Sequence, residues 1–116
     1  MATRLAHLIK FVSNMDSAVA FHRDVLGLPL KFASPEWSEF VTGETTLALH
    51  PASKEHPAGS AMAGFQIDDL RAFYAKRDQL GIKFTSPPEA MHGTLLAHFL
   101  DLDGATCTIE EARKSR

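Results

Sequence analysis

A five-residue motif that occurs twice constrains the fold of this 116-residue chain more than any other feature. Arg23–Gly27 (RDVLG) returns in the second half of the chain as Arg77–Gly81 (RDQLG), and each copy is followed by a Lys-Phe pair. The glycine that closes each copy suits the left-handed residue that ends many helices. A repeat of this kind predicts two similar modules, each built from the same few elements.

Each half is predicted to contain a strand, a helix and then three strands. In the first half these elements are expected at Leu5–Val12, Asp16–Leu26, Leu30–Ala33, Ser38–Val41 and Thr45–His50. In the second half they are expected at Ala61–Ile67, Asp69–Leu80, Ile82–Thr85, Thr94–Leu100 and Thr106–Glu111. The acidic and amide residues around Asn14 and Asp69 are suited to capping the two helices. The segment Ser86–Gly93, with its two prolines, is predicted to be a loop.

The whole chain is expected to form a single domain of two modules. The predicted boundaries are module one over 1–50, a linker rich in Pro, Ala, Gly and Ser over 51–60, module two over 61–111 and a tail over 112–116. His56, inside the linker, is expected to be a solvated loop residue. Hydrophobic residues make up 45% of the chain and charged residues 22%, which is typical of a soluble globular domain rather than a disordered one.

The closing strand of each module alternates between aliphatic and more polar residues. A period of two places these two sets on opposite faces of a sheet. The aliphatic set is Leu47, Leu49, Cys107 and Ile109, and the other set is Thr46, Ala48, His50, Thr106, Thr108 and Glu110. We expect the aliphatic faces to pack on the helices, and the other faces to look into a wetter space such as a cleft.

Charge and cysteine content exclude several classes of function. The formal net charge is −2, and no basic run is available to follow a phosphate backbone, so nucleic acid is not an expected partner. The single cysteine, Cys107, excludes an internal disulfide and any CxxC motif. No apolar stretch is long enough to cross a bilayer, and the N-terminus does not read as a signal peptide. A cytoplasmic location without membrane contact is therefore expected.

Several short segments resemble the vicinal oxygen chelate superfamily, the glyoxalase and bleomycin-resistance group. These segments are His7–Val12, Met15–Phe21, Asp24–Gly27, Phe65–Leu70 and Asp101–Gly104. Together with the duplication, the resemblance covers nearly the whole chain. It implies an α+β fold in which two βαβββ modules form a cupped, mostly antiparallel mixed sheet. In that family, one fold serves many chemistries.

The resemblance also implies a divalent metal held by His or Glu on the first and last strand of each module. Carried onto this sequence, the four ligand positions fall on His7, Ala48, Met62 and Thr108. Only His7 matches, so no metal is expected at the full family site. A shifted site for Zn, Ni, Fe or Mn could use His7, His50 and Glu110. His50 and Glu110 each lie two residues beyond the family positions Ala48 and Thr108. Because two strand residues span about 6.6 Å, a site shared with His7 needs a bulge or an altered register.

The remaining site candidates line the expected cup. The candidate general base is Glu110. The residues predicted to bind a ligand are His7, Ile9, Trp37, His50, Met62, His98 and Thr108. Each has a structural alternative. The Trp37 side chain could pack in the core or at a dimer interface, and the His98 imidazole could point to solvent. The Cys107 thiol is expected to be buried.

Three hypotheses about function follow, from different classes. The favoured hypothesis is a protein of the bleomycin-resistance kind that binds a small organic molecule in the sheet cup without metal at the full family site, with an aromatic molecule as one option. The alternative is a metal-dependent lyase or isomerase of the glyoxalase kind, or an extradiol-type dioxygenase. A third hypothesis is a regulatory or interaction module without a small-molecule site. The resemblance also implies a homodimer, because related two-module proteins often complete their clefts across a two-fold interface.

Overall fold

The order of strands and helices follows the repeat. The computed structural model describes residues 3–113. The strands are β1 (Arg4–Val12), β2 (Leu30–Phe32), β3 (Ser38–Phe40), β4 (Thr46–Pro51), β5 (Ala61–Ile67), β6 (Lys83–Met91), β7 (Thr94–Leu100) and β8 (Thr106–Glu111). The helices are α1 (Met15–Ala20), α2 (Leu70–Ala75) and α3 (Arg77–Leu80), and a π-helical segment, Phe21–Val25, follows α1 directly. Each half therefore has the predicted order of strand, helix and three strands.

The helix ends lie where the sequence predicts them. The Asn14 side chain accepts a hydrogen bond from the Ser17 N–H, and the Asp69 side chain accepts one from the Ala72 N–H. These bonds satisfy N–H groups that have no partner within a helix. At the other end of each copy of the repeat, Gly27 and Gly81 have φ values of 73° and 71°. Both glycines adopt the left-handed conformation that the repeat predicts.

Neither predicted helix is continuous. In the first half, the Leu26 N–H donates to the Phe21 carbonyl five residues back, which is a π-helical hydrogen bond. In the second half, Lys76 separates α2 from α3. The π-helical segment turns the His22 side chain inward, where it is only 4% exposed.

Tertiary contacts divide the described residues into two compact units. The first unit contains residues 6–62, and the second contains residues 3–5 and 63–113. In the first unit the strand order is β2-β3-β4-β1, and in the second it is β5-β8-β7-β6. The pairs β1–β4 and β5–β8 are parallel, whereas the remaining pairs within each unit are antiparallel. The α+β class with two βαβββ modules and mixed, mostly antiparallel pairing is therefore confirmed.

Each unit packs the aliphatic face of its strands on its helix. In the first unit, Leu49 and Phe40 pack with Val19 of α1. In the second, Ile109 and Ile67 pack with Leu70 of α2. The prediction that the aliphatic faces pack on the helices is confirmed in both units, whereas the opposite face of β4 is not uniformly wet, because Ala48 is fully buried among apolar side chains. Cys107 is buried as expected, and this burial raises the pKa of its thiol, with a smaller contribution from the Asp101 carboxylate.

The predicted loop Ser86–Gly93 is wrong. Strand β6 continues to Met91, and His92 and Gly93 alone form the turn into β7, with φ values of 52° and 81°. Two positive φ values are typical of the tight hairpin turn that matches strand twist. β6 is the last strand in the order of its unit, and its pairing with β7 shifts register around the prolines. Proline is tolerated there because an edge strand leaves some N–H groups without a ladder partner.

The predicted module boundaries stay predictions. The segment that follows β4 returns along β1, since the Phe11 N–H donates to the Ser60 carbonyl and the Gly59 N–H donates to the Phe11 carbonyl. Of the predicted tail, residues 112–113 are described, and residues 114–116 lie outside the described residues. Among residues 3–113, no helix is long and apolar enough to pass through a bilayer.

Candidate functional site

One face of the first unit collects aromatic and imidazole rings over an apolar floor. The register pairs Ile9 with Ala48 and Phe11 with His50. Because side chains alternate along a strand, these residues share a face with His7 and oppose the helix-packed core. We call this surface the aromatic face; it consists of His7, Ile9, Phe11, Trp37, Ala48, His50 and Met62.

Trp37 lies at the centre of the aromatic face. Its indole makes an edge contact with the His7 ring, with centroids 5.9 Å apart, and another with the His50 ring, at 6.1 Å. The main chain of Trp37 is tied to Ser34, whose Oγ accepts from the Trp37 N–H and donates to the Trp37 carbonyl. The indole Nε1–H donates to Glu39 Oε2 at 2.7 Å. The ring is therefore held from its backbone and from its polar edge.

Glu39 is a member of this site that the sequence interpretation missed. It pairs across the sheet with Ala48, so it lies on the same side as the aromatic face. Its side chain is only 14% exposed, and its Oε1 lies 3.7 Å from Lys31 Nζ. The available signal was the spacing of two between Trp37 and Glu39, which places both side chains on one face of an extended segment. The carboxylate orients the indole and puts a negative charge beside it.

Phe11 and His56 extend the ring cluster. Phe11 is buried and makes an edge contact with His50, at 5.5 Å between centroids. His56 stacks on Phe11 with centroids 4.6 Å apart and an interplanar angle of 11°. The expectation that His56 is a solvated loop residue is wrong, because hydrogen bonds fold its segment back along β1 and leave it half-buried. Local sequence carries no signal for this packing, which depends on the path of the whole segment.

The second unit carries a polar face in the equivalent place. Gln66 Nε2 donates to Glu110 Oε2 at 2.8 Å, which fixes the orientation of the candidate general base. The His98 main-chain N–H donates to Ser86 Oγ, and the same Oγ lies 3.1 Å from His98 Nδ1, within hydrogen-bond distance. Thr108 pairs with His98 in register. Gln66 and Ser86 are thus contacts of predicted site residues that the sequence did not single out.

The predicted ligand-binding residues fall into two groups. The first unit brings together His7, Ile9, Trp37, His50 and Met62, through the ring contacts and the apolar cluster around Ile9. The second unit holds His98, Thr108 and Glu110 on its polar face. Their roles in ligand binding and catalysis stay predictions.

The residues at the family's metal positions do not fit a divalent metal. His7 supplies one imidazole, whereas Ala48 is fully buried in the apolar floor and has no donor atom. Met62 and Thr108 are poor ligands for such an ion. A catalytic zinc site uses about three strong protein ligands, so these four positions fall short.

The shifted metal site also lacks support from the register. His7 pairs with Thr46, and His50 pairs with Phe11, so the two histidines are four strand residues, or about 13 Å, apart along the sheet. The Trp37 ring contacts both. Across residues 3–113, no three His, Cys, Asp or Glu side chains are grouped to hold a metal ion. The site formed by His7, His50 and Glu110 stays a prediction.

Comparison with known protein families decides the relationship. The sequence profile of the Glyoxalase/Bleomycin resistance protein/Dioxygenase superfamily matches residues 4–109. The chain belongs to this superfamily. The resemblance inferred from the sequence is therefore confirmed over nearly its full length. A search of curated proteins finds no significant match.

Solved structures share the glyoxalase-superfamily fold with this chain at low sequence identity. A hypothetical protein from Bacillus halodurans is 16% identical, with a TM-score of 0.78 over 100% of this chain and 99% of that one. A variant of methylmalonyl-CoA epimerase from Streptomyces coelicolor, in complex with 2-nitronate-propionyl-CoA, is 16% identical, with a TM-score of 0.78 over 100% of both chains. A superfamily member from Vibrio splendidus is 13% identical, with a TM-score of 0.66 over 95% and 98%. These similarities establish the fold alone.

Proposed function

We propose that this glyoxalase-superfamily protein binds a small aromatic molecule on the aromatic face, without a metal at the family site. The observation that carries the proposal is the Trp37 indole, which Glu39 holds by its Nε1–H between the edges of His7 and His50. Aromatic rings prefer offset-stacked or edge-to-face partners. Trp37 is half-buried and packs against the buried side chains of Ile9, Phe11 and Ala48, and the exposed part of its indole offers a surface for such a ring.

The size of such a ligand limits how much of its binding free energy can come from burial of its ring. An aromatic side chain buries about 150–250 Å², which corresponds to roughly 4–6 kcal/mol at about 25 cal/mol per Å². Micromolar binding requires about 8 kcal/mol. Ring burial alone falls short, so hydrogen bonds to the histidines must contribute. A mostly apolar site with a few polar groups is the usual composition of a small-molecule site.

Calorimetry with a panel of simple aromatic compounds tests the proposal. We expect saturable binding to the chelator-treated wild-type protein and at least tenfold weaker binding to Trp37→Leu, which removes the ring but keeps an apolar side chain. The matched control is Phe21→Leu, which removes an exposed ring on the π-helical segment. Binding that is the same in all three proteins, or undetectable in the wild type, would refute the proposal.

A metal-dependent lyase, isomerase or dioxygenase is the second candidate function. It is supported by His7 at the matching family position, by the orientation of Glu110 through Gln66, and by fold similarity to a methylmalonyl-CoA epimerase. In this case Zn, Ni, Fe or Mn should restore activity to chelated protein. Elemental mass spectrometry of protein purified without a tag would show near-stoichiometric metal. Unchanged metal affinity in His7→Ala and Glu110→Ala would rule out these ligands.

A homodimer and a cytoplasmic location accompany the proposal. Both rest on the sequence and on the family relationship. Light scattering coupled to size-exclusion chromatography measures the first directly, with a mass near twice 12.7 kDa expected. A monomer at micromolar concentration would contradict this expectation.

A further inference from the structure

The hydrogen bonding of His50 fixes the position of its proton. Nδ1 lies 2.8 Å from the main-chain oxygen of Pro51. A carbonyl oxygen can only accept, so Nδ1 must carry the hydrogen in this bond. In the neutral imidazole the other nitrogen, Nε2, then has a free lone pair and acts as an acceptor.

The ring of His50 is also held in place by its neighbours. Trp37 contacts it at an interplanar angle of 81°, and Phe11 does so at 65°. The side chain is exposed, and no described residue of the first unit pairs with Nε2. The backbone thus sets the tautomer of His50, and two aromatic contacts hold its ring. Its Nε2 is therefore an acceptor in a fixed position at the border of the aromatic face.

His22 provides a comparison, because its Nε2 has a hydrogen-bond partner within the protein. Its Nδ1 donates to the Ala18 carbonyl at 2.8 Å, so it has the same tautomer as His50. Its Nε2, however, lies 3.1 Å from Lys10 Nζ and accepts from that ammonium. His22 is buried and uses both nitrogens within the fold, whereas His50 is exposed and its Nε2 has no partner among the described residues of the first unit.

We propose that His50 Nε2 accepts a hydrogen bond from the bound molecule, so that the ligand is a neutral aromatic compound with a hydroxyl donor on its ring, as in a phenol. This inference rests on the proposed function, because the ring of the ligand must lie against Trp37. An ionised carboxylate can only accept hydrogen bonds and so cannot donate to Nε2. The Glu39 carboxylate on the same face adds some like-charge repulsion, which Lys31 Nζ, 3.7 Å from its Oε1, offsets in part. The ligand class is therefore a neutral donor rather than an anion such as benzoate.

Phenol and its methyl ether, anisole, separate the hydrogen bond from ring burial. They share a ring and an oxygen, but anisole has no donor. A single hydrogen bond contributes on the order of 1 kcal/mol, so we expect wild-type protein to bind phenol about five- to tenfold more tightly than anisole. In His50→Phe, which retains a ring against Trp37 and Phe11 but has no nitrogen, this ratio should fall to about one, with anisole affinity nearly unchanged.

His92→Asn is the matched control. It removes an exposed imidazole from the hairpin turn of the second unit and should keep the wild-type ratio. Equal affinity for phenol and anisole in the wild type, or a ratio that survives in His50→Phe, would overturn the role of His50 and leave aromatic binding intact. If neither compound binds and Trp37 fluorescence does not change, the proposed function fails together with this inference. Nitrogen NMR of the free protein should independently show the Nδ1–H tautomer at His50.

Discussion

Removing the carboxylate of Glu39 is expected to loosen the Trp37 indole and lower stability by about 2 kcal/mol. The Glu39→Ala change leaves the half-buried Nε1–H of Trp37 without its acceptor at 2.7 Å. A hydrogen bond to a charged group contributes about 1.5–3 kcal/mol to the free energy of unfolding, and this bond is lost when the carboxylate is removed. The ion pair to Lys31 adds little, because the Lys31 side chain is 61% exposed and exposed pairs contribute at most about 1 kcal/mol.

The Glu39→Gln variant separates the hydrogen bond from the charge. Its amide oxygen can still accept from the indole, so it should lose less than half of what Glu39→Ala loses. Glu36→Ala, an exposed neighbour, should stay within about 0.5 kcal/mol of wild type.

Urea unfolding followed by circular dichroism measures these differences, and Trp37 emission reports the loosened ring. Equal stability of Glu39→Ala and wild type would refute the role assigned to Glu39. A Gln variant as unstable as the Ala variant would show that the charge, and not the acceptor, matters.

Three further changes test the fold. His92→Gly should raise stability by about 0.5–1 kcal/mol in urea unfolding, because a non-glycine residue with positive φ is strained; lower stability would contradict this. Asp69→Ala should cost about 1 kcal/mol through loss of the α2 cap, and an unchanged urea midpoint would argue against the cap. Burial raises the pKa of the Cys107 thiol, so the folded state holds that proton while the unfolded thiol ionises. Stability should therefore fall as pH rises through the range in which exposed thiols ionise and up to the raised pKa of the folded thiol. Cys107→Ala should lack this alkaline dependence, and a parallel decline in both proteins would assign it to other groups.

The repeat and the alternating strands predict most of the fold because both are local patterns. Gly27 and Gly81 mark the helix ends, and the parity of Leu49 and Ile109 identifies the core faces. The prediction of a loop at Ser86–Gly93 is wrong because prolines are typical of loops, whereas here they lie in strand β6. Whether proline can enter a strand depends on that strand's place at a sheet edge, which is a property of the tertiary fold.

The candidate site was predicted only in part. The spacing of His7 and Ile9 on one strand places both on the same face, and Trp37 joins them in the structure. Glu39 and His56 were missed for different reasons. The bond from Trp37 to Glu39 depends on side-chain rotamers, and the stack of His56 on Phe11 depends on the path of the segment after β4. Tautomers such as that of His50 follow from hydrogen bonds that only coordinates reveal.

Metal-independent binding of an aromatic molecule at the aromatic face is tested most directly by a fluorescence titration of chelator-treated protein with phenol. Trp37 is the only tryptophan in the chain, so its emission reports on the aromatic face alone. Metal-independent binding at this face predicts a saturable change in emission whose midpoint is the same with and without added Zn, Ni, Fe or Mn. A change that appears only when one of these metals is present, or no saturable change at all, would contradict metal-independent binding at this face.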